Sequence, residues 1–373
     1  MTSVLESSWA LFERIYSALL SPASFISDPS KRIYWSYLIV SVVMAGVVLV
    51  MRYRRRGLNK LYTQLLSPRL WLHPSSLLDI KLMLVKSLVR TLLFIPWLIS
   101  SYGLAVSVVR YASRGFGVAA PTQMSASMIA ILYTIVLFVS SDLSRYLLHR
   151  LCHRIPILWQ FHQVHHSAEV MTPLTLYRSH PVENLLYMIR GVVVTGCVTG
   201  LFFYYFGARA VQYQFLGVNM LGFLFNCLGA NLRHSHVWIS YGSFIERILL
   251  SPAQHQIHHS VDPRHYGANY GSCLAVWDAL GGSLHVPENQ EKLRFGLPQD
   301  DVNHESHALG SALAGPFVAS WRLMRARSSE TPVTLDSPRT VRDDDETSHA
   351  RQSAQPTDHG EGVSSRTGLQ PSR

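Results

Sequence analysis

Charge is what this sequence has least of. Asp, Glu, Lys and Arg supply 15% of the 373 residues against 48% for the hydrophobic set, a balance that speaks against two ordinary soluble domains and for a polytopic membrane protein. Cysteine is sparse too. Cys152, Cys197, Cys227 and Cys273 show no Cys-x-x-Cys spacing, which excludes a readable disulfide framework or iron–sulfur motif and places the face bearing Cys152 in a reducing compartment. Nor is there a Gly-x-Gly-x-x-Gly after a strand, a Cys-x-x-Cys-His or a His-Glu-x-x-His, so dinucleotide, c-type haem and zinc-protease readings have no motif to stand on. The net charge of +10 does not imply nucleic acid, because the basic residues flank apolar runs, the pattern that orients membrane spans.

Histidine is where the chain is rich. It forms three clusters: His149-Arg-Leu-Cys-His153, His162-Gln-Val-His165-His166 and His255-Gln-Ile-His258-His259. On a helix, residues three and four apart share a face, so each cluster presents its rings together. Neutral imidazole suits iron, copper, nickel and zinc. Since one tetrahedral ion takes four ligands, eight clustered imidazoles point to two metals sharing one site. Isolated residues such as His73 and His304 read as ordinary histidines.

The hydropathy pattern orders the rest. Residues 1–33 read as an amphipathic surface segment carrying Trp9, Phe12 and Leu19 beside Glu6, Glu13 and Arg14, with its helix ending at Ser21-Pro22; acidic residues there argue against a cleavable signal peptide. A first span is expected over 34–51, and Arg52 and Arg54 to Arg56 put its C-terminal end in the cytoplasm. Further spans are expected over 91–109, 125–148, 185–206 and 211–228, the last two as a hairpin about Gly207-Ala-Arg-Ala that either crosses or re-enters. The third would deliver His149 to the cytoplasmic surface. From about residue 325 the composition turns polar, predicting a disordered tail over 325–373 that holds His349 and His359. The expected fold class is thus all-α: a membrane bundle of four to five spans or hairpins under a cytoplasmic His-rich cap holding a di-metal site.

Between Asp142 and Ser283 the text resembles the fatty acid hydroxylase and sterol desaturase superfamily. The resemblance rests on Asp142, Tyr146, His149-Arg150 and His153; Trp159, His162, His165, His166 and Ser167; Arg178-Ser-His180-Pro181 with Glu183; and His234-Ser-His236-Val237. It continues through Ser251-Pro252, His255, His258, His259 and Ser260, then Asn269-Tyr270-Gly271, Trp277-Asp278 and Gly281-Gly282-Ser283. It implies a catalytic domain over 125–300, with basic membrane segments over 34–124 before it. It also implies two irons, O2 as co-substrate, a lipid substrate and electrons from an external carrier or reductase, for which Arg52 to Arg56, Arg150 and Arg154 offer a basic docking face.

By position, the resemblance carries the ligand role to His149, His153, His162, His165, His166, His255, His258 and His259. His234 best matches a ninth position, with His236 as the rival, and His180 would lie outside the ligands or near substrate. Asp142 and Asp278 are candidates to accept the distal N–H of a ligand imidazole. For Asp142 a salt bridge with Arg145 or Arg150 is the competing reading. Asn269 and Tyr270 either shape the substrate mouth or simply form a turn. The competing functional class is a His-rich metal transporter or metal-binding protein, which would want polar residues in mid-membrane along a path.

Overall fold

The computed structural model describes residues 2–95, 100–120, 122–298 and 307–329. The expected disordered tail from residue 330 onward, with His349 and His359, lies outside them, as does His304; residues 325–329 belong instead to a helix. In chain order the helices are α1 (Thr2–Ser24), α2 (Trp35–Tyr53), α3 (Gly57–Leu61), α4 (Pro68–Trp71), α5 (Pro74–Val89), α6 (Ser101–Phe116) and α7 (Ala126–Arg154). They continue with α8 (Pro156–His166), α9 (Pro181–Phe206), α10 (Met220–Cys227), α11 (Pro252–His258), α12 (Val276–Gly281) and α13 (Leu309–Ser329). Two two-residue strands, Gln214–Phe215 and Val218–Asn219, pair antiparallel.

Among the described residues, three helical stretches, Trp35–Trp71, Ala126–Arg154 and Pro181–Arg209, are long and apolar enough to cross a membrane. Their outward faces are apolar, with Ile39, Val43 and Val47 on α2, Ile131 and Ile135 on α7, and Val193 and Leu201 on α9 all exposed. Such continuous faces suit contact with lipid. At 29 residues α7 is about 44 Å long, more than a hydrocarbon core of about 30 Å, so its last turns extend past the apolar layer.

Two expected apolar runs are built otherwise than as single long helices. Among the described residues of 91–109, α5 loosens into a wide turn at Arg90–Phe94, and α6 starts afresh from the extended Ser100, whose hydroxyl accepts the Gly103 N–H at 3.0 Å. Over 211–228 the chain makes a hairpin whose turn, Leu216-Gly217, has positive φ at both residues (51° and 78°), followed by the eight-residue α10. The Asn219 side chain caps α10, accepting from Leu221 and Gly222 N–H groups. Hydropathy signalled a span; the turn and cap residues override it. Helix α1 also runs past the expected stop, with Pro22 in its last turn; the Ala18 carbonyl, which the proline cannot serve, accepts from the Ser21 and Ser87 hydroxyls.

Packing explains how these pieces converge. Gly196 and Gly200, one turn apart on α9, lie so close to α6 that an added Cβ would come within 2.8 Å of Leu104 and 2.6 Å of Val108. Small residues at this spacing let two helices approach closely. Ala45 and Leu49 of α2 pack with Leu232, Val237 and Ile239, tying the first apolar helix to the segment carrying His234. Leu78 and Leu82 of α5 meet Val164 of α8 under Leu309, Ala312 and Leu313 of α13. Each such fully buried aliphatic side chain contributes about 1.5–3 kcal/mol relative to exposure.

Candidate metal centre

Local structure aims every imidazole of the clusters inward. His149 and His153 occupy successive turns at the end of α7; Pro156 then opens α8, whose final turns carry His162, His165 and His166. The third cluster sits on α11, started by a reciprocal box in which the Ser251 hydroxyl accepts the Gln254 N–H and the Gln254 side chain accepts the Ser251 N–H. His234 ends a tight turn that follows Gly229, whose φ is 81°.

Nine imidazoles meet in two adjoining groups. His149, His153, His162, His166 and His258 form one, His165, His234, His255 and His259 the other, and within each the candidate ligand atoms lie within 4.8 Å of one another. The groups touch through His166 and His259, whose rings stack at 4.4 Å, and through His258 and His259 at 5.4 Å. The rival candidate His236 is not among them; its Nε2 accepts the Met171 N–H at 3.2 Å.

The hydrogen bonds settle what the rings can do. The Nδ1–H of His149 donates to the Tyr270 carbonyl and that of His258 to the Ala268 carbonyl, both at 2.8 Å. Both Nε2 atoms are then bare lone pairs, yet they face each other at 3.1 Å. Two lone pairs at that distance repel unless a cation lies between them, and nitrogen ligands about 2.1 Å from one ion and roughly at right angles are about 3 Å apart. The pairs His153–His162 and His234–His255 show the same 3.1 Å Nε2 separation. In addition, His166 Nε2, His259 Nε2 and His255 Nδ1 are buried without a partner. Burial holds His162 down at about 3 and His165 at about 4, and it lowers His166, His234, His255, His258 and His259 in the same direction. All seven are therefore neutral at ordinary pH, the form that binds metal. The donor set fits transition-metal ions.

The polar residues around the rings are arranged differently from expectation. Asp142 accepts from Cys273 N–H, Leu274 N–H and Trp277 Nε1–H, so it holds the 273–277 loop and neither orients a ligand ring nor pairs with arginine. Asp278 accepts from Tyr270 N–H, Gly271 N–H and the Ser283 hydroxyl, acting on His149 only through the Tyr270 main chain. Asn269, at a φ of 56°, is a buried cross-brace: its amide donates to Gln254 and His285 carbonyls and accepts the His285 N–H. His180 caps α9 and bonds the Leu313 carbonyl, away from both groups.

Two residues carry roles the sequence did not reveal. Glu183 Oε1 accepts the His162 Nδ1–H at 2.9 Å, and the Arg178 carbonyl accepts that of His165 at 3.0 Å. Glu183 stands three residues beyond His180, so a polar residue on the first turn of α9 was the available signal. A main-chain acceptor leaves no signal at all. Arg150 is also engaged, donating to the Gly281 carbonyl at 2.8 Å.

Comparison with known proteins bears on this region. Residues 134–283 match the fatty acid hydroxylase family model. An alkylglycerol monooxygenase of Xenopus tropicalis is 29% identical over 160 residues, 43% of this chain and 32% of that protein. An ornithine lipid hydroxylase of Rhizobium tropici is 27% identical over 159 residues, covering 43% of this chain and 44% of its own. A Delta(7)-sterol 5(6)-desaturase of Gibberella zeae is 29% identical over 173 residues, 46% of this chain and 45% of the relative. The matches thus span less than half the length of each of these relatives. No solved structure matches the chain.

Proposed function

From the premise that residues 134–283 are a fatty acid hydroxylase domain, we propose that this protein is a membrane oxygenase that hydroxylates or desaturates a C–H bond of a lipid, using O2 and electrons from a separate carrier. The observation that carries the reading is the pair of bare Nε2 atoms of His149 and His258, 3.1 Å apart with both Nδ1 positions committed elsewhere. Two irons held by the nine imidazoles would supply the activation of O2 that no side chain can perform.

The chain's own residues supply order, dryness and position. Carbonyls of Tyr270, Ala268 and Arg178 and the carboxylate of Glu183 each take one Nδ1 proton, fixing the tautomer that leaves Nε2 free. Burial of His162 and His259, each 2% exposed, keeps bulk water from a strongly oxidising centre. Trp159 lies against the rings of His153 and His166 at 5.2 and 5.5 Å and closes the side toward α13. A site at the end of α7, just past the apolar layer, can take a lipid directly from the bilayer. The arginines at 52 and 54–56 follow α2, whose Ala45 and Leu49 pack against the segment carrying His234, and this supports a cytoplasmic position for the site. In this reading 1–33 is a surface segment, 34–124 a membrane frame and 125–300 the catalytic domain.

The test is metal analysis of detergent-purified protein beside His258→Ala, with lipid profiling of cells with and without the gene. Two irons per chain, lost in the variant, and one lipid gaining an oxygen or losing two hydrogens are expected. A stably bound zinc complement with an unchanged lipid profile would move the protein to metal handling.

A further inference from the structure

Outside the nine-histidine cluster, two imidazoles and a carboxylate meet again. His265 Nε2 lies 3.0 Å from one oxygen of Glu291, His285 Nε2 lies 3.9 Å from the other, and the three candidate ligand atoms fall within 4.8 Å of one another. The two rings face each other at 5.6 Å. His265 is 3% exposed, and its Nδ1 is buried without a partner. We propose that His265, His285 and Glu291 form a separate site for one divalent cation of the zinc type, which clips shut the 265–285 loop.

The donor set suits such an ion. Two imidazole nitrogens and one carboxylate oxygen are typical ligands of a borderline cation, which would complete its shell with water. Ligand atoms about 2.1 Å from a tetrahedral ion are about 3.4 Å apart; His265 Nε2 and His285 Nε2 lie 3.0 and 3.9 Å from different oxygens of Glu291, so the carboxylate need only turn slightly to present one oxygen to an ion held between the rings. A simple ion pair would account for His265 and Glu291. It gives no reason for the second imidazole to turn toward the other carboxylate oxygen. The side chains of His285 and Glu291 are 38% and 29% exposed, so an ion and its water can enter from solvent.

A second grouping, His73, Glu169 and His307, fails the same scrutiny. There the Nδ1 of His73 accepts the Ser75 N–H and the Nδ1 of His307 accepts from the Arg178 guanidinium, so both rings carry their proton on Nε2, where a metal would need the lone pair. At His265 and His285 no donor occupies Nδ1 among the described residues.

The position gives the clip its consequence. The His265 carbonyl accepts the Ala268 N–H, and the His285 main chain holds both ends of the Asn269 amide. Ala268 and Tyr270, on either side of Asn269, are the carbonyls that orient His258 and His149. A cation joining His265 to His285 would stiffen the stretch that sets two rings of the main cluster.

Full-length protein, equilibrated with zinc and then freed of excess by gel filtration, tests this by metal analysis. Wild type should hold one zinc more per chain than Glu291→Gln or His285→Gln, with iron equal in all three, and added zinc should raise Tm in wild type alone. Equal zinc in wild type and variants, or equal stabilisation, overturns the proposal. His285→Gln alters only a partly exposed ring and keeps the main-chain bonds to Asn269, so it decides the matter even where Glu291→Gln misfolds. Neither residue touches the nine imidazoles, so the result stands apart from whether the chain oxidises lipids.

Discussion

Arg178 serves His165 with its main chain, not its charge. The carbonyl oxygen accepts the His165 Nδ1–H at 3.0 Å, while the guanidinium points the other way, into Asp79 of α5 at 3.1 Å and the carbonyls of Ser75, Val164 and Ser167. The arginine is 1% exposed and Asp79 fully buried. A buried pair of this kind is weak evidence of net stability, but breaking one half strands the other. Arg178→Ala should therefore cost about 3–5 kcal/mol and lower bound iron, because the peptide that aims His165 loses its anchor. Asp79→Asn should show the same direction. Thermal unfolding and metal content in detergent check it, and full iron occupancy in both variants would refute the positioning role.

Glu183 makes a sharper test because two substitutions separate charge from hydrogen bonding. Its carboxylate takes the His162 Nδ1 proton at 2.9 Å, and glutamine can still accept that proton where alanine cannot. Loss of such an outer partner costs about 10–100-fold in metal affinity or activity. Glu183→Ala should fall in that range, with Glu183→Gln closer to wild type in competition with a chelator. Equal metal affinity across all three proteins would remove Glu183 from the site.

How much of this was legible follows from what a sequence can encode. The gathering of His149 with His153, and of the two triplets, could be read because helical spacing fixes which side chains share a face. The preference for His234 over His236 came from the resemblance and not from spacing; the geometry of the tight turn sends the first ring to the cluster and the second to Met171. The acceptors at Tyr270, Ala268 and Arg178 are main-chain oxygens, which every residue has. Hydropathy misread 211–228 because Leu, Phe and Val line a hairpin and a short helix as readily as a span. Helix α13, rich in Ala, Gly and Ser, gave no strong periodicity and went unexpected although it covers α8.

The contact of α6 with α9 yields a prediction about the frame. Gly200→Leu would drive a side chain into Val108, whose Cβ is already 2.6 Å from the position of an added Cβ, and into the Ala105 carbonyl at 2.8 Å. Overpacking of this sort costs about 1–3 kcal/mol, so the variant should unfold at lower temperature. Gly191→Ala on the same helix meets nothing within 4 Å and should be neutral or slightly stabilising. Equal effects of the two would show that close approach of α6 is not what these glycines provide.

Acid should empty the site in a defined window. In the unfolded chain an imidazole titrates near 6.5, whereas burial holds His162 at about 3 and His165 at about 4 in the folded one. Between those limits the unfolded state binds more protons, so stability rises with pH and is lost as pH falls from about 6.5 toward 4. Above about pH 7 neither state is protonated at these rings and stability should be flat. Bound metal acts in the same direction, because protons compete for the same nitrogens. Iron content and Tm followed from pH 8 downward should hold steady and then fall together below about 6.5. Replacing His165 with asparagine, which does not titrate, should make the Tm decline shallower. A decline that begins only below pH 4 would mean that carboxylates, and not these imidazoles, set the acid limit of the fold.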